Sequence, residues 1–297
     1  MEFRTIVDIP DPGFRIGPCE SMLFVGSCFA DSIGRRFQEE KFRTVVNPFG
    51  VMYNPASILH TIQRIVKQGD GSFVTSAGVT KEPSPCYAFL TLGTNHVYRL
   101  KETGEIVDNC QKRPQSLFEE EELSVDECAD YLTKAIDLLR EMNPETHIVL
   151  TVSPIRYRKY GYHESQLSKA TLLLAIEKTI RACKSSMTSK TSATSIVSYF
   201  PAYEIMMDEL RDYRFYDADM LHPSEQAVDY IWERLIEWCF SDEAITFMDE
   251  WRPIRQALTH RPFNPESKEY LRFMQQTHER LAAFKKKYPA FTQNTKL

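Results

Sequence analysis

The sequence contains no run approaching the eighteen or so consecutive apolar residues that a membrane-spanning helix needs, so no membrane span is expected. It has no CxxC pair either. Its seven cysteines, Cys19, Cys28, Cys86, Cys110, Cys128, Cys183 and Cys239, stand singly and without metal-ligand spacing, so neither a metal nor a cofactor is expected. The opening stretch MEFRTIVDIPDPGFRIGP lacks an apolar core behind a basic start, and a secretory leader is not expected. An odd cysteine count in that context points to free thiols in a reducing compartment, by default the cytoplasm. Positive charge is in short supply: 36 Lys and Arg against 41 Asp and Glu leave a net charge of −5, which argues against a nucleic-acid partner. There is no Gly-rich phosphate loop and no internal repeat. The 16 prolines are scattered, so no Pro-rich linker is visible.

What is present is the composition of an ordinary globular chain: 297 residues, 42% hydrophobic and 26% charged, enough for one large α/β domain or two modest ones. Met22–Val25 reads as a buried strand running into a helix from Phe29 to Gln38, and Arg43–Val46 as a short strand before a helix near Ala56–Lys67. Ala88–Leu92 and Val97–Leu100 read as strands, with Glu105–Val107 able to close a hairpin, and Glu119–Glu122 as a solvated loop. Helical spacing covers Val125–Met142 and Ser165–Cys183, and HIVLTVSP from 147 is a continuous apolar run suited to a buried parallel strand. A polar stretch at 184–195 reads as a surface loop, Ser195–Tyr199 as a strand and Tyr203–Leu210 as a helix. Pro223–Phe240 is an amphipathic helix with Pro223 suited to its first position. Beyond it, 241–297 reads as a helical appendage to an α/β domain over 1–240. Strands alternating with helices imply a parallel sheet covered on both faces, whose function lies at the strands' carboxyl ends.

That rule selects a few places to interrogate. In LFVGSCFADSIGRRF, Gly26 permits a sharp strand-to-helix turn, and Cys28 would stand where helix amide groups and the helix dipole favour a thiolate. Small residues there equally suit plain packing. In DADMLHPSEQA, Asp219 and His222 lie three apart before a helix, an arrangement in which an imidazole can take a nucleophile's proton while the carboxylate fixes its tautomer. Asp219 and Ser224 serving only as helix caps is the plain alternative. The segment SPIRYRKYGYH leaves a strand's carboxyl end carrying Arg156, Arg158, Lys159 and three tyrosines, a set suited to a sugar, a phosphate or a larger polyanion.

A glycine-led turn after the first strand and Asp-x-x-His near the last resemble the layout of the SGNH (GDSL-like) hydrolases. The pentapeptide Gly26-Ser27-Cys28-Phe29-Ala30, with NPFGVMYNPASI at 47–58, TLGTN at 91–95, NCQKRP at 109–114, LTVSPIRY at 150–157, QLSKATLL at 166–173 and the stretch 198–224, resembles the GSCFA family over roughly residues 1 to 240. The resemblance implies a three-layer αβα sandwich with a mainly parallel, flavodoxin-like sheet. It also implies a bacterial protein acting on a small-molecule or glycan acyl ester. Carried over residue by residue, it makes Cys28 the nucleophile with Ser27 beside it, and His222 and Asp219 base and orienter. Gly50, Gly93 and Asn95 would belong to the oxyanion site, with Asn47, Ser153, Arg156, Tyr157 and Arg158 on the substrate rim. Cysteine in place of serine, Ser27 in place of aspartate and His96 in place of the third block's aspartate depart from the SGNH pattern. An acyltransferase for glycan modification and a non-catalytic glycan-binding protein are the alternative readings.

Overall fold

A computed structural model describes residues 4–67, 72–75, 78–81, 84–108, 110, 113–186 and 197–292. Ten strands and nine helices are found among them: β1 Ser21–Gly26, α1 Cys28–Glu39, β2 Arg43–Val46, α2 Pro55–Lys67, β3 Ser72–Thr75, β4 Gly78–Lys81, β5 Tyr87–Leu92, β6 His96–Leu100, β7 Ile106–Val107, β8 Phe118–Glu122, α3 Val125–Met142, β9 His147–Val152, α4 Tyr162–Ser186, β10 Val197–Tyr199, α5 Ala202–Glu204, α6 Glu225–Cys239, α7 Asp242–Thr259, α8 Lys268–Lys287 and α9 Pro289–Thr292. The central sheet is parallel throughout, in the order β10-β9-β5-β1-β2. The chain reverses its winding between β1 and β5, and in such sheets the crevice at the carboxyl end of that switch point is the binding place.

Both faces of the sheet are covered, which is why β1 and β5 are buried along their whole length. On one face Phe24 stacks on Phe89 at 4.7 Å and joins residues of α1 and α6. On the other, Leu23, Val25 and Leu90 pack with α2, α3 and α4. The parallel sheet covered on both faces that the alternation of elements implies is therefore present, with a helical C-terminal part.

The C-terminal helices join the first of these cores. Phe247, Trp251, Phe284 and Phe291 belong to the same buried cluster as Phe37, Phe42 and Phe240. The Trp251 indole N–H donates to the Glu39 carbonyl at 2.8 Å, satisfying a group at the end of α1 that has no partner within its own helix.

Some local expectations change. Glu119–Glu122 is not a loop but most of β8, paired antiparallel with β6. Arg99 meets Glu121 at 2.7 Å and Lys159 meets Glu120 at 3.0 Å, so an acidic run can hold extended form. The helix expected at Pro223 begins at Glu225 with Ser224 as its cap, and Pro223 instead bridges Tyr216 in a short antiparallel contact. The region from Tyr203 forms one α turn and then a π turn over Ile205–Glu209. The β3–β4 hairpin was not expected. Past Ser186, the loop expected at 184–195 lies outside the described residues, as do parts of 109–114.

Candidate active site at the carboxyl edge of the sheet

The turn after β1 is fixed from several directions. Gly26 has φ +151°, and a Cβ there would lie 2.2 Å from the Thr91 carbonyl oxygen, so no other residue fits without moving β5. The Gly26 N–H donates to Asn47 Oδ1 at 2.8 Å, and its carbonyl accepts from the Met52 N–H at 2.8 Å. The Asn47 amide then reaches Asp31 Oδ1 at 2.6 Å, tying the loop after β2 to the first turn of α1. The turn is thus held by its neighbours on both sides.

This geometry separates the two residues that chemistry alone left side by side. Ser27 is the N-cap of α1, 1% exposed, and its hydroxyl accepts from the Phe29 N–H at 3.3 Å. That corrects its placement beside Cys28 in the reacting group: Ser27 holds the helix start. Cys28 is the first helical residue and is half-buried. Its N–H is one of the amides a helix leaves unpaired. Its Sγ lies 3.6 Å from the Tyr53 hydroxyl. Burial, and then the contact with Cys28, push the Tyr53 hydroxyl well above the ordinary phenol range, so it stays protonated beside the sulfur.

Asp219 and His222 form a compact local unit. Asp219 Oδ1 accepts from the Leu221 and His222 N–H groups at 2.8 and 2.9 Å, and Oδ2 meets His222 Nδ1 at 2.5 Å. The His222 amide, its imidazole and the Leu221 amide hold the carboxyl down at about 2. The two side chains are 44% and 45% exposed, so solvent reaches the unit freely. Nδ1 being held by the carboxylate leaves Nε2 as the free ring nitrogen. His222 lines a cleft of about 380 Å³ together with Ser32, whose hydroxyl donates to the Cys28 carbonyl one turn back in α1. The imidazole thus lies beside the second turn of α1, and the hydrogen-bond partner of the thiol is Tyr53.

The expected oxyanion donors fare unevenly. The Gly50 N–H closes a turn onto the Asn47 carbonyl at 2.9 Å, so it is already engaged. The next amide, of Val51, has no acceptor among the described residues. Gly93 approaches Tyr53 so closely that a Cβ would lie 3.1 Å from the Tyr53 carbonyl oxygen, and its own N–H donates to that oxygen. Asn95 is 4% exposed and gives its amide to the Leu123 carbonyl at 2.8 Å, which turns it into the protein and away from an oxyanion role.

Of the expected rim, Ser153 is fully buried and Asn47 spends its amide on Gly26 and Asp31, so both are corrected to structural positions. Tyr157 and Arg158 are exposed on the segment after β9. Arg156 is half-buried, its guanidinium 4.7 Å from the Tyr162 ring and 5.1 Å from that of Tyr216. Sequence reasoning passed over Tyr53 and Lys169. Tyr53 sits in the NPFGVMYNP loop at the same carboxyl edge, which was the available signal. Among the described residues no cluster of His, Cys, Asp or Glu could hold a metal ion, and no helix is long and apolar enough to cross a membrane.

Compared with known families, residues 21–79 and 82–235 match the GSCFA family model, and residues 251–296 match the model of the GSCFA domain protein, C-terminal domain. None of the curated proteins matches significantly. Among solved structures, an acetyl esterase is 12% identical with a TM-score of 0.41, covering 78% of this chain and 100% of its own. A family 3 carbohydrate esterase from Clostridium thermocellum is likewise 12% identical with a TM-score of 0.39, over 78% of this chain and 98% of that one. A carbohydrate esterase from Talaromyces cellulolyticus gives 12% and 0.38, over 77% and 99%.

Proposed function

The chain belongs to the GSCFA family, and from that premise we propose that it is an acyl-ester hydrolase that works through a thioester on Cys28. The observation that carries this reading is the thiol itself: half-buried at the start of α1, beside an unpaired helix amide and 3.6 Å from a tyrosine hydroxyl that stays protonated. The amide N–H and the phenol O–H are donors that the sulfur can accept from once it carries a negative charge.

In the proposed reaction the Cys28 proton reaches His222 Nε2 through an intervening water, since the thiol's own hydrogen-bond partner is Tyr53, and sulfur attacks the ester carbonyl carbon. The C–S bond forms as the carbonyl π pair moves onto oxygen, where the Cys28 and Val51 N–H groups donate to it. Collapse of that intermediate expels the alkoxide, which takes the proton from the imidazolium. Water, deprotonated by His222, then attacks the thioester, and the acid leaves as the thiolate is regenerated. Asp219 keeps the imidazole in one tautomer and balances its charge, being ionised at any pH above about 2. Tyr53 donates to the thiolate between turnovers. Esters of glycans are the proposed natural substrates, with Tyr157 and Arg158 offering a stacking face and a fixed cation at the rim.

Turnover of p-nitrophenyl acetate and of acetylated glycans tests the reading. Cys28→Ala abolishes turnover, and acyl-enzyme trapped by acid quench carries its added mass on Cys28. Turnover that survives Cys28→Ala and disappears in Ser27→Ala overturns the assignment of the nucleophile. A thioester that forms yet is released only on adding an acceptor hydroxyl compound identifies a transferase using the same residues.

A further inference from the structure

A second cavity, of about 300 Å³, is lined by Tyr216, which bridges Pro223 of the His222 cleft. One wall is apolar, formed by Ile155, Met206, Met207 and Leu210. At its floor lies Lys169, 2% exposed, whose ammonium donates to the Gly93 carbonyl at 2.8 Å and the Ser153 carbonyl at 2.9 Å. Those bonds tie the carboxyl ends of β5 and β9 together, and they use two of the three N–H groups an ammonium carries. No carboxylate pairs with it among the described residues. A buried charge in that condition costs several kcal/mol unless an opposite charge arrives.

The remaining polar groups of the cavity are largely spoken for. Arg211 pairs with Asp208 at 2.5 Å, Asp212 holds the Arg214 N–H at 2.9 Å, and the Tyr203 hydroxyl donates to Gln166 at 2.6 Å. The Tyr203 ring lies 5.7 Å from the Lys169 ammonium. Arg156 faces the cavity among the rings of Tyr162, Tyr213 and Tyr216, and it too has no carboxylate partner among the described residues. Two cations without anions thus share a pocket whose wall is aliphatic and thioether. That combination calls for a ligand with an anionic head and an apolar body.

We propose that this cavity binds an amphiphilic carboxylate, its head accepting the third N–H of Lys169 and its chain lying along Ile155, Met206 and Leu210. The volume suits a chain on the order of eight carbons. The head is assigned to the Lys169 ammonium, whose one unused donor and single charge match a carboxylate, while the Arg156 guanidinium, already set among three tyrosine rings, is the lesser contributor. The inference does not depend on the reaction assigned to Cys28, because it concerns a different cavity and different side chains.

The wild-type pH behaviour follows from the same geometry. Burial alone pushes the Lys169 ammonium down to about 7, so at pH 8 it is mostly neutral. A carboxylate arriving beside it restores the charge, and binding at pH 8 takes a proton from solution. At pH 6 the ammonium is already charged and uptake vanishes. The other titratable and charged groups facing the cavity are Tyr162, Tyr203, Tyr213, Tyr216, Arg156, Arg211 and Asp212, and burial pushes the Tyr203 and Tyr216 hydroxyls up, away from this pH interval.

Isothermal titration of the full chain with octanoate and with 1-octanol decides the matter. Octanoate binds at least ten-fold more tightly than octanol at pH 7. Lys169→Met removes that preference while octanol still binds, and Arg156→Gln reduces it less. At pH 8 the octanoate heat varies with the ionisation enthalpy of the buffer in the sense of proton uptake, and at pH 6 it does not. Equal affinities for the two compounds, no octanoate binding, or absence of uptake at pH 8 overturn the proposal. Should Lys169→Met fail to fold, the proton measurement on the wild-type chain decides alone.

Discussion

The turn at Gly26–Cys28 and the loop at Asp219–His222 face the same edge of the sheet but are built by opposite means. The turn depends on distant chain: Thr91 from β5, Asn47 after β2 and Met52 beyond it all fix the Gly26 backbone. The loop depends on itself, since Asp219 closes onto Leu221 and His222, two and three residues on. The turn is buried and the loop nearly half exposed. A nucleophile must arrive at one position in a packed sheet, whereas a base needs a fixed tautomer and an open face. Substitutions should therefore damage the fold at one place and the chemistry at the other.

The largest expected effect is that of Gly26→Ala. With 2.2 Å between the new Cβ and a backbone oxygen, and a φ that side chains rarely adopt, the variant should lose more than about 3 kcal/mol in urea denaturation, or fail to fold. Asp219→Asn and His222→Ala should reverse that pattern, with midpoints near wild type and p-nitrophenyl acetate turnover down by about 10²–10⁴-fold. Equal damage to stability from both places would break the comparison.

Lys169→Met offers a middle case, with an effect that depends on pH. The folded chain keeps Lys169 neutral above about 7, while the unfolded chain stays protonated up to the ordinary 10.5. The unfolded state thus binds more protons over that interval, and this residue's contribution raises stability as pH climbs, by up to about 1.4 kcal/mol per unit. Below pH 7 the contribution is flat. Urea midpoints at pH 7 and pH 9 should rise less in the methionine variant than in wild type. Smaller still, Ser27→Ala should cost about 1 kcal/mol through the lost cap and leave turnover within a few-fold. A loss of turnover there with no loss of stability would sharpen the comparison in the other direction, by giving the cap a chemical part.

The sheet was legible in the sequence because burial on both faces leaves continuous apolar runs, as at 22–25 and 147–152, that need no tertiary information to read. The turn was legible for a related reason: a glycine between an apolar strand and a helix pattern permits a sharp reversal, although the sequence alone did not separate that use from plain packing. The hydrogen-bond assignments were not. Whether Asn95 gives its amide to solvent or to the Leu123 carbonyl depends on a chain crossing nearly thirty residues away. Asn47 resembles a rim residue until the position of Asp31 is known. Lys169 reads as one polar residue of a helix, and only the meeting of β5, β9 and α4 turns it into a buried ammonium. The run at Glu119–Glu122 misled because charge suggests solvent, and an edge strand can have both.

Helix α1 also links two parts of the chain that share no chemistry. Its first residue is Cys28, and its last turn offers the carbonyl of Glu39 to the indole of Trp251, about 16 Å away along the helix axis. A rod clamped at its far end keeps its near end in register. The rate at which iodoacetamide labels Cys28 is thus a gauge of whether the C-terminal helices are seated, readable without substrate and without turnover.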